Sequence, residues 1–480
     1  MAPHLAKMLL TLLVVTGPAV PVTPLSASSL SPPPPGTLAR MIVSFEHDLG
    51  SPTIDRLAAA GVLQAAIFDA IDAAALVAPP EVFQTMATWP DVTRIEADDP
   101  VVAANDRARQ DTRVNRVRAG APPLRSGYKG EGVTIAIVDS GIDAVHPDLR
   151  DRVALHLNFN PSWFMDDITD GEYSKQLAEV TSGYDGVGHG THVAGIVGGT
   201  GAAATNVDLS GVAPEATLID LKIGDLETPT LSNPPTELGA FESNVLAAYQ
   251  WLLDHRLDER FPGGIRITNN SWGVAATEDT VSADDTAVTR IIEKAVSKGV
   301  VTVFAAMNEG PGENTVYAGP NSSREVITVA NACKTVDSCG AGQIAADSSR
   351  GPQVDIAAPG SDIWSALAGT DSAAKAVQGA QPPPAGDPSA AARNRAFYVK
   401  RSGTSMAAPH IAGIIALMLE ANPDLTPTKV RSFLMKTAAD RGPRGFDPAW
   451  GAGLVDAFSA VNLAEDARAS KRAQRATKMI

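Results

Sequence analysis

The run Gly132-Val133-Thr134-Ile135-Ala136-Ile137-Val138 leaves this chain few folds to choose from. It is continuous, apolar, rich in β-branched residues and opened by glycine, so it has no polar face to turn toward water. Such a strand is buried on both sides, as strands of a parallel sheet are. Candidates of similar character recur at 216–223, 265–271, 300–305 and 326–330, with helical stretches at 242–253 and 284–298 between them. Strands alternating with helices predict an α/β domain, doubly wound around a mostly parallel sheet.

Such sheets place their sites beyond the carboxyl ends of the strands. Asp139 stands there, directly after the first run. His189 lies in Gly188-His189-Gly190-Thr191-His192-Val193-Ala194-Gly195, where it reads as a general base and His192 as a packed structural histidine. A zinc pair is the rival reading, but no Glu lies between the two and no third ligand follows. Asn308, in Ala305-Ala306-Met307-Asn308-Glu309-Gly310, could donate an amide hydrogen to an oxyanion. Ser405, in Ser402-Gly403-Thr404-Ser405-Met406, sits between the strand-like 396–399 and the apolar helix candidate 411–419. A helix N-terminus with free N–H groups suits a serine that must stabilise negative charge. Taken singly, the Ser405 segment caps a helix as readily as it carries a nucleophile.

Together the pieces follow one another as Asp, His, Ser, each in a Gly-rich turn, and the sequence resembles the subtilisin-like (subtilase) serine peptidases. The matching motifs are Val138-Asp139-Ser140-Gly141-Ile142-Asp143 with His146-Pro147-Asp148-Leu149, His189-Gly190-Thr191-His192-Val193-Ala194-Gly195, and Gly403-Thr404-Ser405-Met406-Ala407 with Pro409-His410. Weaker echoes are Asn270-Ser271-Trp272-Gly273, Asp355-Ile356-Ala357-Ala358-Pro359-Gly360 and Gly451-Ala452-Gly453-Leu454-Val455-Asp456-Ala457. The resemblance implies Ser405 as nucleophile, His189 as base, Asp139 as its orienting acid, and Asn308 with the Ser405 N–H as oxyanion donors. It implies protein or peptide substrates, lying extended along Ser271, Trp272 and Gly273 with Ala305, Ala306 and Met307 about the specificity pocket. It requires no cofactor for catalysis. Asp148 matches a family calcium ligand, although an insertion near 204–209 alters the loop that would complete that site. Met307 also departs from the pattern, which has glycine there. A Met filling part of the pocket predicts a preference for small residues before the cut bond. Two other readings are a catalytically silent binding scaffold, against which the intact Asp139, His189, Asn308 and Ser405 stand, and an esterase, whose usual G-x-S-x-G elbow is absent.

The rest of the 480 residues frames this domain. Lys7 and the apolar run Met8 to Val15, broken by Pro18 and Pro21, predict a secretory signal over 1–29 and export to the extracellular space or a periplasm. No other stretch is read as membrane-spanning. A Pro-rich linker follows at 30–39. Residues 40–104 read as a small α+β, ferredoxin-like domain: strand 41–45, helix 53–60, a strand at 65–73, helix 79–89 and strand 92–96. The resemblance makes this an inhibitory propeptide that templates folding, since a large parallel sheet folds slowly. The segment 101–111 reads as an exposed linker, self-cut somewhere within 103–111. The peptidase domain covers 105–463, with a surface insertion at 373–394, and 464–480 reads as a charged tail. Cys333 and Cys339 fit one disulfide in an oxidising compartment. A net charge of −15 argues against nucleic acid. A monomer is expected.

Overall fold

The structure, a computed structural model, describes residues 39–47, 51–68, 73–97, 104–159, 183–226, 238–240, 242–273, 286–316, 319–335, 339–340, 342–369, 394 and 396–478. The expected signal and nearly all of the Pro-rich linker and of the 373–394 insertion lie outside the described residues. Contacts divide the chain into two units, 1–100 and 101–480.

In the first unit the elements run β1 (Ala39–Phe45), α1 (Ser51–Ala59), β2 (Gln64–Phe68), β3 (Ala73–Ala78), α2 (Pro80–Met86) and β4 (Val92–Ala97). The antiparallel sheet has the order β2-β3-β1-β4, which is the ferredoxin-like arrangement. Pro80 opens α2, where its missing N–H costs nothing and its fixed φ suits a helix start. Val43, Leu57, Leu76, Phe83 and Met86 form the core. The single strand expected over 65–73 is in fact the hairpin β2–β3, with Phe68 opposite Ala73. Its alanine-rich arms carry too little polar alternation to mark the reversal in sequence.

In the second unit two short helices, α3 (Ala104–Asp111) and α4 (Val114–Arg118), precede the sheet. Its strands are β5 (Thr134–Asp139), β6 (Val153–Asn158), β7 (Thr217–Lys222), β10 (Ile265–Asn270), β11 (Val301–Ala305), β12 (Ile327–Ala332) and β13 (Ile356–Pro359), after the β8 (Gly224–Leu226) and β9 (Leu238–Ala240) ribbon. They are parallel throughout, in the order β13-β12-β11-β10-β5-β7-β6. Ile135 and Ile137 of β5 pack to one side, with α5 (His189–Gly198) and α8 (Thr404–Ala421). Ala136 and Val138 face the other, against α6 (Glu242–His255) and α7 (Ala287–Ser297). Both faces of the strand are thus in cores, as its sequence requires, and each buried Val or Ile contributes roughly 1.5–3 kcal/mol. A two-stranded ribbon, β14 (Ile363–Ala366) with β15 (Tyr398–Arg401), leads into α8, and α9 (Pro427–Thr437) and α10 (Ala457–Lys478) close the chain.

One expectation needs correction. The segment 101–111 is not an exposed linker beyond residue 103: it is α3, with Ala108 and Arg109 fully buried. Residues 464–478 of the charged tail continue α10, whose Ala464 and Glu465 are buried, and Arg468 donates to the Ala421 carbonyl. By length and composition α8 would pass as a membrane span, but 89% of it is buried as the central core helix.

Long-range polar bonds stitch the early helices to the end of the chain. Thr335 bonds Asp111 through its N–H and hydroxyl and accepts from Arg107 Nε at 2.9 Å. Arg113 pairs with Asp456, and Tyr128 donates its hydroxyl to Glu465, which also accepts from the Arg125 N–H. Cys333 and Cys339 are joined beside Thr335, with Cα atoms 6.0 Å apart.

Candidate active site

The carboxyl end of β5 delivers Asp139, fully buried, to the first turn of α5. Its Oδ1 accepts from the Ser140 N–H and from His189 Nδ1, each at 2.8 Å. Asp139 Oδ2 is buried with no hydrogen-bond partner. That carboxylate holds the imidazole in one tautomer, proton on Nδ1, and leaves Nε2 free to act as a base. The two turns meet so closely that a Cβ on Gly190 would stand 2.2 Å from the Gly141 carbonyl, so only glycine can follow His189.

Asp185 holds this junction together, and no sequence motif quoted above includes it. Its Oδ1 accepts from the Gly188 N–H and the Ser140 hydroxyl, both at 2.8 Å. Its Oδ2 accepts from the Thr191 N–H and hydroxyl. Ser140 Oγ in turn accepts from the Gly190 N–H. Burial pushes the Asp185 pKa up, against the hydrogen bonds from Thr191 and Ser140. The readable signal was an Asp opening the Gly-rich turn four residues before His189. His192 is indeed structural. Its Nε2 donates to the Ile363 and Val399 carbonyls, and burial pushes its pKa well down, keeping it neutral.

Ser405 is the second residue of α8, half-exposed among buried neighbours. The turn before it needs Gly403, whose φ 145 and ψ 167 belong to glycine alone. Pro409 lies inside the helix and has no N–H to give the carbonyl four residues back, that of Ser405. Ser271, following β10, fills the vacancy: its hydroxyl donates to the Ser405 carbonyl at 2.8 Å, and Ser405 Oγ donates to the Ser271 carbonyl at 3.0 Å. Asn269 Nδ2 donates to Ser271 Oγ and fixes it.

Asn308, exposed after β11, accepts at Oδ1 from the Thr404 N–H and hydroxyl, at 3.0 and 3.1 Å. A backbone N–H can only donate, so the amide is oriented with its Nδ2 donors uncommitted, one residue from Ser405. Trp272 stacks edge-on against Phe304 at 5.2 Å, seating the Ser271-Trp272-Gly273 stretch on the sheet. Met307 adopts φ 77, and its side chain lies over Gly273: a Cβ there would meet Met307 Sδ at 2.6 Å. Ala305 and Ala306, expected beside it in the pocket, instead sit fully buried in two cores and offer no surface.

Asp148 does not fit the calcium role expected of it. Its Oδ1 accepts from the Ala203 N–H at 2.8 Å and its Oδ2 from the Tyr398 hydroxyl at 2.7 Å, so both oxygens are spent on protein donors. Among the described residues, no three His, Cys, Asp or Glu are grouped to hold a metal ion.

Residues 130–453 match the model of the subtilase family. The chain belongs to the subtilase family. This subtilase is 31% identical to serine protease AprX of Bacillus subtilis (strain 168), over 80% of its own length and 78% of the relative's. It is likewise 31% identical to subtilisin of Bacillus pumilus, over 71% of this chain and 95% of that one. Minor extracellular protease Epr of Bacillus subtilis (strain 168) matches at 27%, over 80% of the subtilase and 49% of Epr. The subtilase is a serine-type endopeptidase that acts on protein or peptide substrates, and its parallel sheet is the family's doubly wound α/β fold. Subtilases need no cofactor for catalysis.

Proposed function

We propose that Ser405 is the nucleophile of this endopeptidase, His189 its general base and Asp139 the group that orients the base and stabilises its charged form. The observation that carries the reading is the 2.8 Å bond from His189 Nδ1 to a carboxylate with no access to solvent. Ser405 Oγ swings from the Ser271 carbonyl to His189 Nε2, gives up its proton there and attacks the scissile carbonyl. The Ser405 N–H at the start of α8 and Asn308 Nδ2 stabilise the oxyanion. His189 then protonates the leaving amine, and water, deprotonated by the same imidazole, releases the acyl group. Substrate lies along Ser271-Trp272-Gly273 as an added strand. Met307 narrows the pocket for the residue before the cut bond, which favours small side chains such as Ala.

The protein is made as an exported zymogen, in keeping with the extracellular protease among its relatives. Residues 40–104, with the family's inhibitor-like topology, restrain and template the peptidase, which then cuts itself at the amino-terminal edge of α3, near Ala103. A cut within α3 is disfavoured because Ala108 and Arg109 are buried. The active species is a monomer.

A fluorophosphonate probe tests the centre of this reading. Wild-type protein is labelled and digests casein; Ser405→Ala does neither and accumulates as an uncut precursor. Labelling of the variant would discard Ser405 as nucleophile, and normal processing of it would discard self-cleavage.

A further inference from the structure

The calcium that Asp148 was expected to bind would brace the loop of residues 200–210. Something else in this chain already does so. Arg109, fully buried in α3, sends its guanidinium into that loop. Its Nη1 donates to the Ser210 carbonyl, its Nη2 donates to the Asp208 carbonyl at 3.2 Å and pairs with Asp208 Oδ2 at 2.8 Å, and its Nε donates to Asn115 Oδ1 at 3.2 Å. Arg118 Nη1 adds bonds to Ser210 Oγ and to the Gly211 carbonyl. Two backbone carbonyls and a carboxylate converging on one centre, with the guanidinium buried and the Asp208 carboxylate at its open edge, are the oxygen set that a hard cation takes. Here a delocalised, permanently charged guanidinium occupies it, and its fork geometry matches several oxygens at once.

The other side of the loop is closed by hydrogen bonds from uncharged donors. Asp148 takes the Ala203 N–H and the Tyr398 hydroxyl. Asn394, buried, receives the Thr205 N–H on Oδ1 and gives Nδ2 to the Thr205 carbonyl. Leu209, Trp364 and Tyr398 pack a small apolar cluster beneath. Each of these carboxylate and carbonyl oxygens already accepts from a protein donor. Burial works against the charged form of Asp208, yet the Arg109 guanidinium beside it holds its carboxyl below the usual range.

We propose that Arg109 is a built-in cation which holds the 200–210 loop in place of calcium, so that this subtilase keeps that loop ordered when the metal is removed. The clamp also anchors α3, so the element that begins the peptidase unit and the loop are fastened by one charge. A buried charge deprived of its partner, or a set of carbonyls deprived of their cation, is costly, and the loop should open when either is removed.

Amide hydrogen exchange across 200–211, on full-length Ser405→Ala protein to prevent self-digestion, tests this directly. The N–H groups of Ala203, Thr205, Ser210 and Gly211 are the reporters, since each is bonded within the clamp or to its partners. Exchange there should be the same in EDTA and in millimolar calcium chloride. A rise of about ten-fold in EDTA with Arg109 intact would overturn the proposal. Arg109→Gln in the same background should speed exchange in the loop by about ten-fold or more, leaving β5 and β10 protected. Protection equal to that of the parent would also overturn it. Should the variant not fold, the metal comparison on the parent decides alone.

Discussion

Met307 carries a cost that its neighbours do not. A non-glycine residue in the left-handed region, here at φ 77, loses roughly 1–2 kcal/mol relative to its preferred conformations. The side chain it gains in exchange lies over Gly273, which in the proposed binding mode borders the pocket for the substrate side chain before the cut bond. Met307→Gly therefore relieves strain and empties the pocket together. The variant should accept Phe or Leu before the cut bond in a peptide library while the parent prefers Ala, and its melting temperature should not fall. A parent that already prefers Phe or Leu would show that Met307 does not set the pocket. This position was visible in sequence as a departure from a motif, but its direction was not. Whether a flexible Met points in or away depends on one backbone angle, and nothing local to Ala306-Met307-Asn308 encodes it.

Elements were legible where a single run had to do one thing. The strand 132–138 and the helices near 242–253 and 284–298 fell close to β5, α6 and α7, because burial on two faces or one leaves a clear period. The short strand β6, with its mixed burial, and the β8–β9 ribbon have no such period. The charged α3 was read as linker because its Arg and Asp residues find their partners in distant loops. The pairing of the β10 exit with α8 belongs to the same class: Ser271 matters because Pro409, 138 positions on, leaves a carbonyl open. Ser271→Ala removes the donor to that carbonyl without touching a reacting atom. It should lower kcat by about five-fold through loss of positioning of Ser405, with KM little changed, since one neutral hydrogen bond is worth about 1 kcal/mol. An unchanged kcat would make the bond ornamental.

At the scale of the whole molecule, two buried histidines make the fold sensitive to acid. His410, buried in α8, donates Nδ1–H to the Met406 carbonyl, and burial lowers its pKa to about 4. His192 is pushed the same way. A histidine with a depressed folded pKa contributes stability that is present above its unfolded value near 6.5 and is lost as pH falls toward the folded one. For His410 the full loss is roughly 3 kcal/mol below pH 4. Melting of Ser405→Ala protein should fall steadily between pH 6.5 and 4.5, and the fall should be shallower with His410→Gln. Parallel slopes would assign the acid sensitivity elsewhere.

The stitching of the early helices has a consequence for how the chain is made. Arg107 waits 228 positions for Thr335, Tyr128 waits 337 for Glu465, and Arg113 waits 343 for Asp456. Translation proceeds at about 5–20 residues per second. For tens of seconds, then, the nascent peptidase unit carries cations and hydroxyls whose partners have not been synthesised, and α10 must leave the ribosome before Arg113 and Arg125 can make their bonds to it or to the residue before it. A product truncated before Asp456 leaves Arg113, Arg125 and Tyr128 without these partners, an unfinished enzyme and not a smaller one.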